Sequence, residues 1–236
     1  MIQNYSVERK KLPLIPIRGI GIFPNMVIHF DIGREKSINA LEEAMLEDSD
    51  IFLTVQKEPD IDVPKEDDFY EIGVVCKIKQ MIKMPGDNIR VLVEGLSRAK
   101  IVEITQQEPF FEIVVDEYTY EIGFPIEDKL EAIIRLSLNL FEEYSSIYNK
   151  VAPDAVSSLK GIKNPDKLAD VLASYIYLKP EQKQELLEIF DPYERLEQLN
   201  KYIAKEIKVL QIEDEINEQV RKQVSEFQRD YYLKEQ

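Results

Sequence analysis

The sequence predicts an α+β fold: a β-rich N-terminal lobe with one short helix, then a helical bundle that ends in one long helix. Glycine, which concentrates at turns and bulges, is unevenly distributed, because seven of the eight glycines lie at or before Gly123. Short apolar runs separated by turn residues fill this first part, whereas the second part repeats apolar residues at helical spacing. No glycine or proline follows Pro192, so the final helix is expected to run close to Gln236.

About six strands are expected in the first part, arranged as a compact mixed sheet or an open barrel. A short amphipathic helix over 37–46 interrupts them, since its apolar residues are spaced by three and four. Pro16 is expected at a sheet edge or a bulge, because proline cannot donate to a strand ladder. A hairpin turn is predicted at 85–88, and 95–97 predicts a break between two strand segments. The expected strand segments are 14–18, 26–30, 51–56, 73–84, 89–94, 99–104 and 110–118.

The second part shows helix-start signals at two places. Asn164 followed by Pro165 is an N-cap with proline at the first helical position. Asp191 with Glu194 three residues later is a capping box. The expected helices cover 126–148, 165–178, 180–190 and 193–236. These patterns divide the chain into a β-rich lobe, a helical bundle and a long helix, at 1–122, 123–191 and 192–236.

The long helix carries two apolar stripes. The first is expected to pack on the preceding helices, and consists of Leu196, Leu199, Ile203, Ile207 and Leu210. The second is rotated about the helix axis, and consists of Ile212, Ile216, Val220, Val224, Phe227 and Tyr231. Two interpretations of the second stripe stay open: it packs on the domain itself, or it forms a coiled-coil-like assembly arm toward another chain or a further domain. The helix reaches the last residue without a cap, which favours a piece of a longer protein.

Charge and composition exclude several classes of function. The 45 acidic and 30 basic residues give a net charge of −15, which disfavours both nucleic acid and an anionic membrane as partners. No apolar run is long enough for a transmembrane helix, and the N-terminus lacks a signal peptide, so a cytoplasmic protein is expected. Because the chain has only one cysteine, an internal disulfide is excluded. Because it also has only one histidine, a His/Cys zinc site cannot be built within it. The acidic segment 57–71 is expected to be a solvated loop.

No motif for catalysis or cofactor binding is present. The sequence has no phosphate-binding loop of the Gly-x-x-x-x-Gly-Lys-Ser/Thr type and no Gly-x-Ser-x-Gly elbow. His29 has no nucleophile beside it in sequence, and Cys76 lies in an apolar strand pattern where a small buried residue fits. We therefore predict no catalytic residue, no metal site and no cofactor in this chain.

Two groups of residues are candidates for contact with a partner. The first is an apolar surface with flexible methionines, which suit varied apolar partners; it comprises Phe23, Pro24, Met26, Met81, Met84 and Pro85. The alternative for these residues is that they fold back into the core. The second is a charged edge at a helix start, formed by Arg34, Glu35 and Lys36, for which the alternative is a solvated turn.

Several segments, in order along the chain, resemble the N-terminal region of the bacterial Lon proteases. They include Phe-Pro-Asn-Met-Val at 23–27 and Gly-Arg-Glu-Lys-Ser at 33–37. The other matching segments are 12–18, 78–81, 89–99, 169–174, 183–187 and 231–236. The resemblance implies a PUA-like β lobe, then a helical bundle, then a long helix that leads into an ATPase module.

The resemblance also implies a function. Lon proteases are homohexameric, ATP-dependent serine proteases, and this chain is similar to their substrate-recognition and assembly region, which binds exposed apolar segments of unfolded or damaged proteins. ATP and Mg²⁺ would bind the ATPase module, which this chain lacks, and the Ser–Lys dyad would lie further along. The chain itself is therefore expected to be non-catalytic. The alternatives are an adaptor or protein-interaction module with a Lon-type β lobe, and an enzyme whose site carries no known motif.

Overall fold

The computed structural model describes residues 4–86, 88–121, 127–148 and 150–234, with side chains described as far as Phe227. Six strands and six α-helices occur in these ranges, together with a short 3₁₀ turn at Glu66–Asp68. The strands are β1 (Tyr5–Ile17), β2 (Val27–Ile32), β3 (Ile51–Val55), β4 (Ile72–Lys83), β5 (Ile89–Gln106) and β6 (Phe111–Tyr120). The helices are α1 (Glu35–Leu46), α2 (Asp128–Ile147), α3 (Ala155–Lys160), α4 (Pro165–Tyr175), α5 (Pro180–Glu188) and α6 (Pro192–Lys234).

The six strands form one mixed sheet that closes on itself. Their order is β2-β5-β4-β3-β1-β6, and an additional pairing of β5 with β6 joins five strands into a barrel. β1 runs parallel to β3 and antiparallel to β6, while β2 lies outside the ring along the first half of β5. The predicted α+β class with a mixed sheet or barrel is thus confirmed, with six strands and one helix in the first part.

The break predicted at 95–97 is wrong, because β5 is one continuous strand of 18 residues. Val75 pairs with Ser97 and Cys76 pairs with Gly95, which leaves Leu96 as the extra residue of a β-bulge. A Cβ atom on Gly95 would lie 2.5 Å from the carbonyl oxygen of Phe23. The glycine therefore permits a close backbone approach where the sequence suggested a strand end.

β1 begins at Tyr5, nine residues before the predicted start at 14. Its first half is polar and pairs with a polar half of β6, where Arg9 meets Asp116 at 2.8 Å and Lys11 meets Glu112 at 2.6 Å. Such cross-strand ion pairs are invisible to a search for apolar runs. Pro16 lies opposite Thr54 of β3, beyond the last residue of β1 that pairs with β6, which confirms the predicted edge position.

The core has two parts, one inside the barrel and one outside it. The inner part is lined by alternate residues of the strands, and consists of Leu12, Leu14, Phe52, Phe69, Val75, Ala99, Phe111, Ile113 and Val115. The outer part is continuous from Ile15 and Leu41 of the β lobe to Phe141 and Leu172 of the helices. The two lobes therefore share one apolar core. The predicted boundary at 122–123 falls within residues 122–126, which lie outside the described residues.

The helical lobe follows its predicted start signals. The Asn164 side chain accepts hydrogen bonds from the amides of Asp166 and Lys167, and Asp191 Oδ1 accepts one from the amide of Glu194. α4 and α5 end a few residues before their predicted ends. α3 was not predicted, because a helix of six residues is too short to show a periodic pattern.

The long helix α6 contains 43 residues, or roughly 64 Å at 1.5 Å per residue. The first stripe packs on α2, α4 and α5 as predicted, with Leu196, Leu199 and Ile203 fully buried. The second stripe is exposed at each position whose side chain is described, from 51% at Val220 and Val224 to 78% at Phe227. The interpretation that it packs on the domain itself is therefore wrong for these positions. The Tyr231 side chain lies outside the described side chains.

Candidate functional site

The first candidate surface begins at a tight turn over 23–26. Pro24 and Asn25 occupy its centre, Asn25 has φ +67°, and the amide of Met26 donates to the carbonyl of Phe23 at 3.2 Å, as in a type II turn. Phe23 is fully buried, and Pro24 is buried with it. Their assignment to a contact surface is wrong, because the turn folds inward onto the bulge of β5 and both side chains join the interior.

Met26 and Met81 remain accessible on one face of the sheet. Met26 lies across from Gly95 and Met81 across from Val91, two residues of like orientation on β5. Both methionines are half-buried and pack against the outer core. They are separated by four residues along β5, about 13 Å, so they form the two ends of an apolar strip, with half-buried Ile28 and Ile78 on the same face.

The hairpin between β4 and β5 adjoins the Met81 end of this strip. The amide of Met84 donates to the carbonyl of Asn88 at 2.8 Å, which closes the hairpin next to Pro85. Met84 is half-buried and Pro85 is exposed. The structure therefore leaves four of the six predicted residues accessible, and we call Met26, Met81, Met84 and Pro85 the methionine strip.

The opposite face of the same strands is charged. Arg90 donates two hydrogen bonds to the carboxylate of Asp31, at 2.7 and 2.9 Å, and Lys79 Nζ lies 2.5 Å from Glu94. Because successive side chains of a strand point to opposite faces, Met26 and Met81 come from residues that alternate with the charged pairs, whereas Met84, opposite Asn88, has the orientation of Arg90. Met26 and Met81 thus have solvated charge on the opposite face of the sheet.

The predicted charged edge lies at the start of α1, with Arg34 as the N-cap residue. Glu35 is exposed, whereas Lys36 pairs with Glu108 at 2.5 Å and lies 4.9 Å from the centre of the Phe111 ring. Arg34 turns inward, where its guanidinium reaches the carbonyls of Pro16 and Ile61 at 3.5 and 3.4 Å. The edge is therefore one side of a groove rather than a fully solvated turn.

Two cavities of about 430 and 300 Å³ lie beside this edge, and Arg34 lines both. We call the smaller cavity the Arg34 groove; it is lined by Leu14, Pro16, Arg34, Glu35, Lys36, Ser37, Asp62, Val63, Pro64 and Phe111. Sequence reasoning missed it because 57–71 was expected to be a solvated acidic loop. The signal that could have revealed it is the apolar pair Val63–Pro64 within that loop.

Three polar side chains position the loop 57–71 over the groove by donating hydrogen bonds to one carbonyl oxygen. The carbonyl oxygen of Ile61 accepts from Arg18 at 3.1 Å and from Gln56 at 3.0 Å, as well as from Arg34. Arg18 also donates to Asp62 Oδ1 at 2.8 Å. The loop is thereby positioned by hydrogen bonds from the end of β1, the end of β3 and the start of α1.

A buried charge cluster joins the barrel to the helices, and the sequence did not indicate it. Arg98 of β5 donates two hydrogen bonds to Asp170 of α4, one of them at 2.6 Å, and Arg195 of α6 donates to the same aspartate at 3.0 Å. Arg195 also reaches Asp166 at 2.9 Å. All three of Arg98, Asp170 and Arg195 are essentially inaccessible to solvent, so they position the helical lobe rather than contact a partner.

The cluster keeps its charges despite burial. Burial by itself lowers the pKa of the Arg195 guanidinium, but Asp170 and Asp166 outweigh it, and the net effect is a raised pKa. Tyr5 donates to Asp166 and to the carbonyl of Phe190, and its pKa is raised by burial and then by the nearby carboxylate. Every charge here has a hydrogen-bonded partner, as a buried ionic group requires.

The single cysteine and the single histidine lie outside the Arg34 groove and the charge cluster. Cys76 is buried, and burial followed by the charge of Asp50 raises the pKa of its thiol, which disfavours the reactive thiolate. His29 is exposed on β2. Within the described residues, no three His, Cys, Asp or Glu side chains are grouped to hold a metal ion, and no helix is long and apolar enough to cross a membrane.

A comparison with protein families identifies the family of this chain. A family model described as the ATP-dependent protease La (LON) substrate-binding domain matches residues 11–205. The chain belongs to this family. The matched span contains the methionine strip, the Arg34 groove, the charge cluster and the first three residues of the buried stripe of α6, Leu196, Leu199 and Ile203.

Relatives with similar sequences are named Lon protease. The chain is 46% identical over 239 residues to Lon protease of Clostridioides difficile (strain 630), covering 100% of this chain and 30% of that protein. It is 39% identical to Lon protease 1 of Bacillus subtilis (strain 168), covering 97% of this chain and 29% of that protein. The chain thus spans about 30% of the length of these relatives.

Two solved structures share the Lon N-terminal fold. The N-terminal domain of a Mycobacterium avium complex Lon protease matches 83% of this chain and 98% of its own, with a TM-score of 0.65 and 22% identity. A Lon N-terminal domain protein from Xanthomonas campestris matches 82% of this chain and 98% of its own, with a TM-score of 0.55 and 14% identity. At these identities the matches bear on the fold alone. The family match identifies this chain as a Lon substrate-binding domain.

Proposed function

We propose that this domain binds exposed apolar segments of unfolded or damaged proteins and presents them to the ATPase and protease modules of a Lon protease. The observation that carries the proposal is the methionine strip, in which Met26, Met81 and Met84 are accessible while the neighbouring Phe23 is buried. Flexible thioether side chains adapt to many apolar partners, so the strip suits weak binding without sequence specificity.

The catalytic work is proposed to lie outside this chain. Relatives of about three times its length are named Lon protease, which supports a non-catalytic role for the part that this chain represents. In the complete protein, ATP and Mg²⁺ would bind the ATPase module, and peptide hydrolysis would take place in the protease module. The same proposal places the protein in the cytoplasm, where an unpaired cysteine stays reduced.

The exposed stripe of α6 supports self-association, with a homohexamer as the assembly proposed for the complete protein. The stripe extends back to Val209, which is 39% exposed, and its apolar residues follow at steps of 3, 4, 4, 4 and 3. Val209, Val220 and Tyr231 are 11 residues apart. An apolar repeat of 11 residues favours a right-handed supercoil, so we expect two copies of this helix to wind around each other with that handedness.

Substrate binding is tested by capture of an unfolded protein. A reduced, permanently unfolded protein and its native form are offered to the purified chain, and the affinities are compared. The double variant Met81→Ser/Met84→Ser is expected to bind the unfolded form several-fold more weakly, because apolar contact area is removed. Met45→Ser is the matched control, since Met45 is 49% exposed on α1, away from the strip.

The proposal predicts that the wild-type chain and the Met45 variant capture the unfolded protein equally and ignore the native form. Equal capture by the double variant, with its circular dichroism and unfolding midpoint unchanged, would remove the methionine strip as the binding surface. If no folded variant captures unfolded protein at all, the domain acts in assembly rather than in recognition.

A further inference from the structure

The Arg34 groove combines apolar walls with the guanidinium of Arg34, whose two hydrogen bonds to the domain are long. We propose that it docks a peptide segment in which an apolar side chain lies beside an Asp or Glu side chain. This inference rests on the substrate-recognition role proposed above, and adds a second contact with its own chemistry. The Arg34 groove brings a half-buried arginine beside apolar walls.

The walls of the groove suit one large apolar side chain. Its volume of about 300 Å³ is at the lower end of the range of ligand pockets. Pro16 and Leu14 of β1 form one wall with Phe111, and Val63 and Pro64 form the other. Val63 is 70% exposed, although it is the apolar residue of an otherwise acidic loop. Exposed apolar area of this kind gains stability when a partner covers it.

The guanidinium of Arg34 is poorly satisfied by the domain itself. It has five N–H donors, and its two hydrogen bonds, to the carbonyls of Pro16 and Ile61, are 3.5 and 3.4 Å long, beyond the usual 2.7–3.2 Å. Among the described residues, no carboxylate forms an ion pair with it. Burial lowers the pKa of Arg34 and the charge of the nearby Arg18 lowers it further, while the Asp62 carboxylate, which pairs with Arg18, partly opposes the shift.

The other charges around the groove are already engaged or point to solvent. Arg18 holds Asp62 at 2.8 Å, and Glu108 holds Lys36 at 2.5 Å. Glu35 is exposed at the rim. Among the described residues that line the groove, Arg34 is therefore the one cation without an ion-pair partner, and it presents the planar fork that pairs with a carboxylate through two parallel hydrogen bonds.

The edge of β1 beside the groove is closed to strand addition. Pairing of β1 with β6 stops at Leu14 opposite Phe111, which leaves 15–17 without a neighbour on that side. Pro16 has no N–H to donate there, and its carbonyl already accepts from Arg34. A partner must therefore bind through its side chains, an apolar one in the cavity and an acidic one on the guanidinium, rather than by extending the sheet.

Short fluorescent peptides capped at both ends test this inference on the complete 236-residue chain. One peptide has Leu-Asp in a Gly/Ser background, and its matched partners have Leu-Asn and Ser-Asp. The wild-type chain is expected to bind Leu-Asp roughly tenfold more tightly than Leu-Asn, the effect of one charge-assisted contact. Arg34→Gln should abolish that difference, and Arg34→Lys should keep part of it.

Three controls separate the possible outcomes. Arg9→Gln changes an exposed arginine on the far half of β1 and should leave the difference between Leu-Asp and Leu-Asn unchanged. Val63→Ser should weaken both Leu peptides and leave Ser-Asp unaffected. A peptide with no Asp but a free carboxyl end distinguishes an acidic side chain from a chain terminus, and tighter binding of that peptide would overturn the assignment.

The inference is wrong if wild type binds Leu-Asp and Leu-Asn equally, or if Arg34→Gln and Arg34→Lys, both folded by circular dichroism, retain the full difference. Either result with normal capture of an unfolded protein by the methionine strip overturns the groove alone. Loss of capture in every assay would instead overturn the recognition role itself.

Discussion

Arg98 and Asp170 form a buried two-pronged ion pair between the barrel and the helical lobe, and neither side chain is more than 2% exposed. They are 72 residues apart in sequence, and the same aspartate also accepts from Arg195 at the base of α6. Three elements, β5, α4 and α6, are thus fixed to one carboxylate. The relative placement of the two lobes depends on this carboxylate together with the shared apolar core.

Replacing Asp170 is expected to destabilise the whole domain. Asp170→Asn leaves two arginines buried with reduced compensation, and the loss of a partner from a buried pair costs about 3–5 kcal/mol. Urea unfolding followed by circular dichroism measures the change in the free energy of unfolding. Asp116→Asn is the control, because Asp116 pairs with the exposed Arg9, and exposed pairs contribute little. Similar effects for the two variants would show that the buried cluster is not a principal tie.

Adding one methyl group at the β5 bulge is expected to disturb the turn at 23–26. In Gly95→Ala, the new Cβ would lie 2.5 Å from the Phe23 carbonyl oxygen, and overpacking of this kind costs about 1–3 kcal/mol. Thermal unfolding should show a lower midpoint. Gly161→Ala is the matched control, because its Cβ would meet no atom closer than 3.3 Å. A Gly95 variant as stable as the control would contradict the close approach.

Asp50 is expected to reduce stability at neutral pH. Burial raises the pKa of its carboxyl, although Lys10 partly opposes the shift. Since the folded pKa is above the unfolded value, the folded state binds the proton more tightly, and stability falls as pH rises through the folded pKa. Asp50→Asn should therefore stabilise the domain at pH 7, and the gain should vanish below about pH 3.8, where both states are protonated.

Urea unfolding of wild type and Asp50→Asn across this pH range measures the difference. The control is Glu47→Gln, which changes an exposed acidic residue at the start of the same loop. A gain that persists unchanged at pH 3 would show that the substitution acts by packing or hydrogen bonding rather than by protonation.

Charge in the exposed stripe of α6 is expected to reduce the mass of the particle without unfolding it. Val220→Glu/Val224→Glu places two carboxylates on side chains that are each 51% exposed, so the folded monomer loses little. Light scattering over a range of concentrations should show self-association for wild type and less for the variant. Lys222→Glu, on the opposite side of the helix, is the control. A wild-type chain that stays monomeric at high concentration would contradict pairing through this stripe.

The elements predicted best from the sequence are those whose signals are local. The N-cap at Asn164 and the buried stripe from Leu196 to Ile207 depend on spacing within a few residues, and the structure confirms both. Long-range features were missed for the opposite reason. The polar half of β1 is stabilised by β6, roughly a hundred residues away in sequence, and no local pattern shows that pairing.

The candidate sites divide in the same way. Met81 and Met84 were expected at the surface from their position near a hairpin tip, and they are accessible. Phe23 and Pro24 have similar local sequence character, yet they are buried because a bulge with Gly95 brings another strand against them. The Arg34 groove and the buried cluster of Arg98, Asp170 and Arg195 each combine residues from three or more elements, so no single stretch of sequence could indicate them.

The last buried residue of the first stripe in α6 is Ile207, so the helix leaves the body of the domain near that point and continues to Lys234. The free part is roughly 40 Å long at 1.5 Å per residue. By simple geometry, a tilt of about 10° at its base moves its far end by about 7 Å, more than one turn of helix. The angular position of the far end of this helix is therefore set by a few side chains at its first turns, with Arg195 among them.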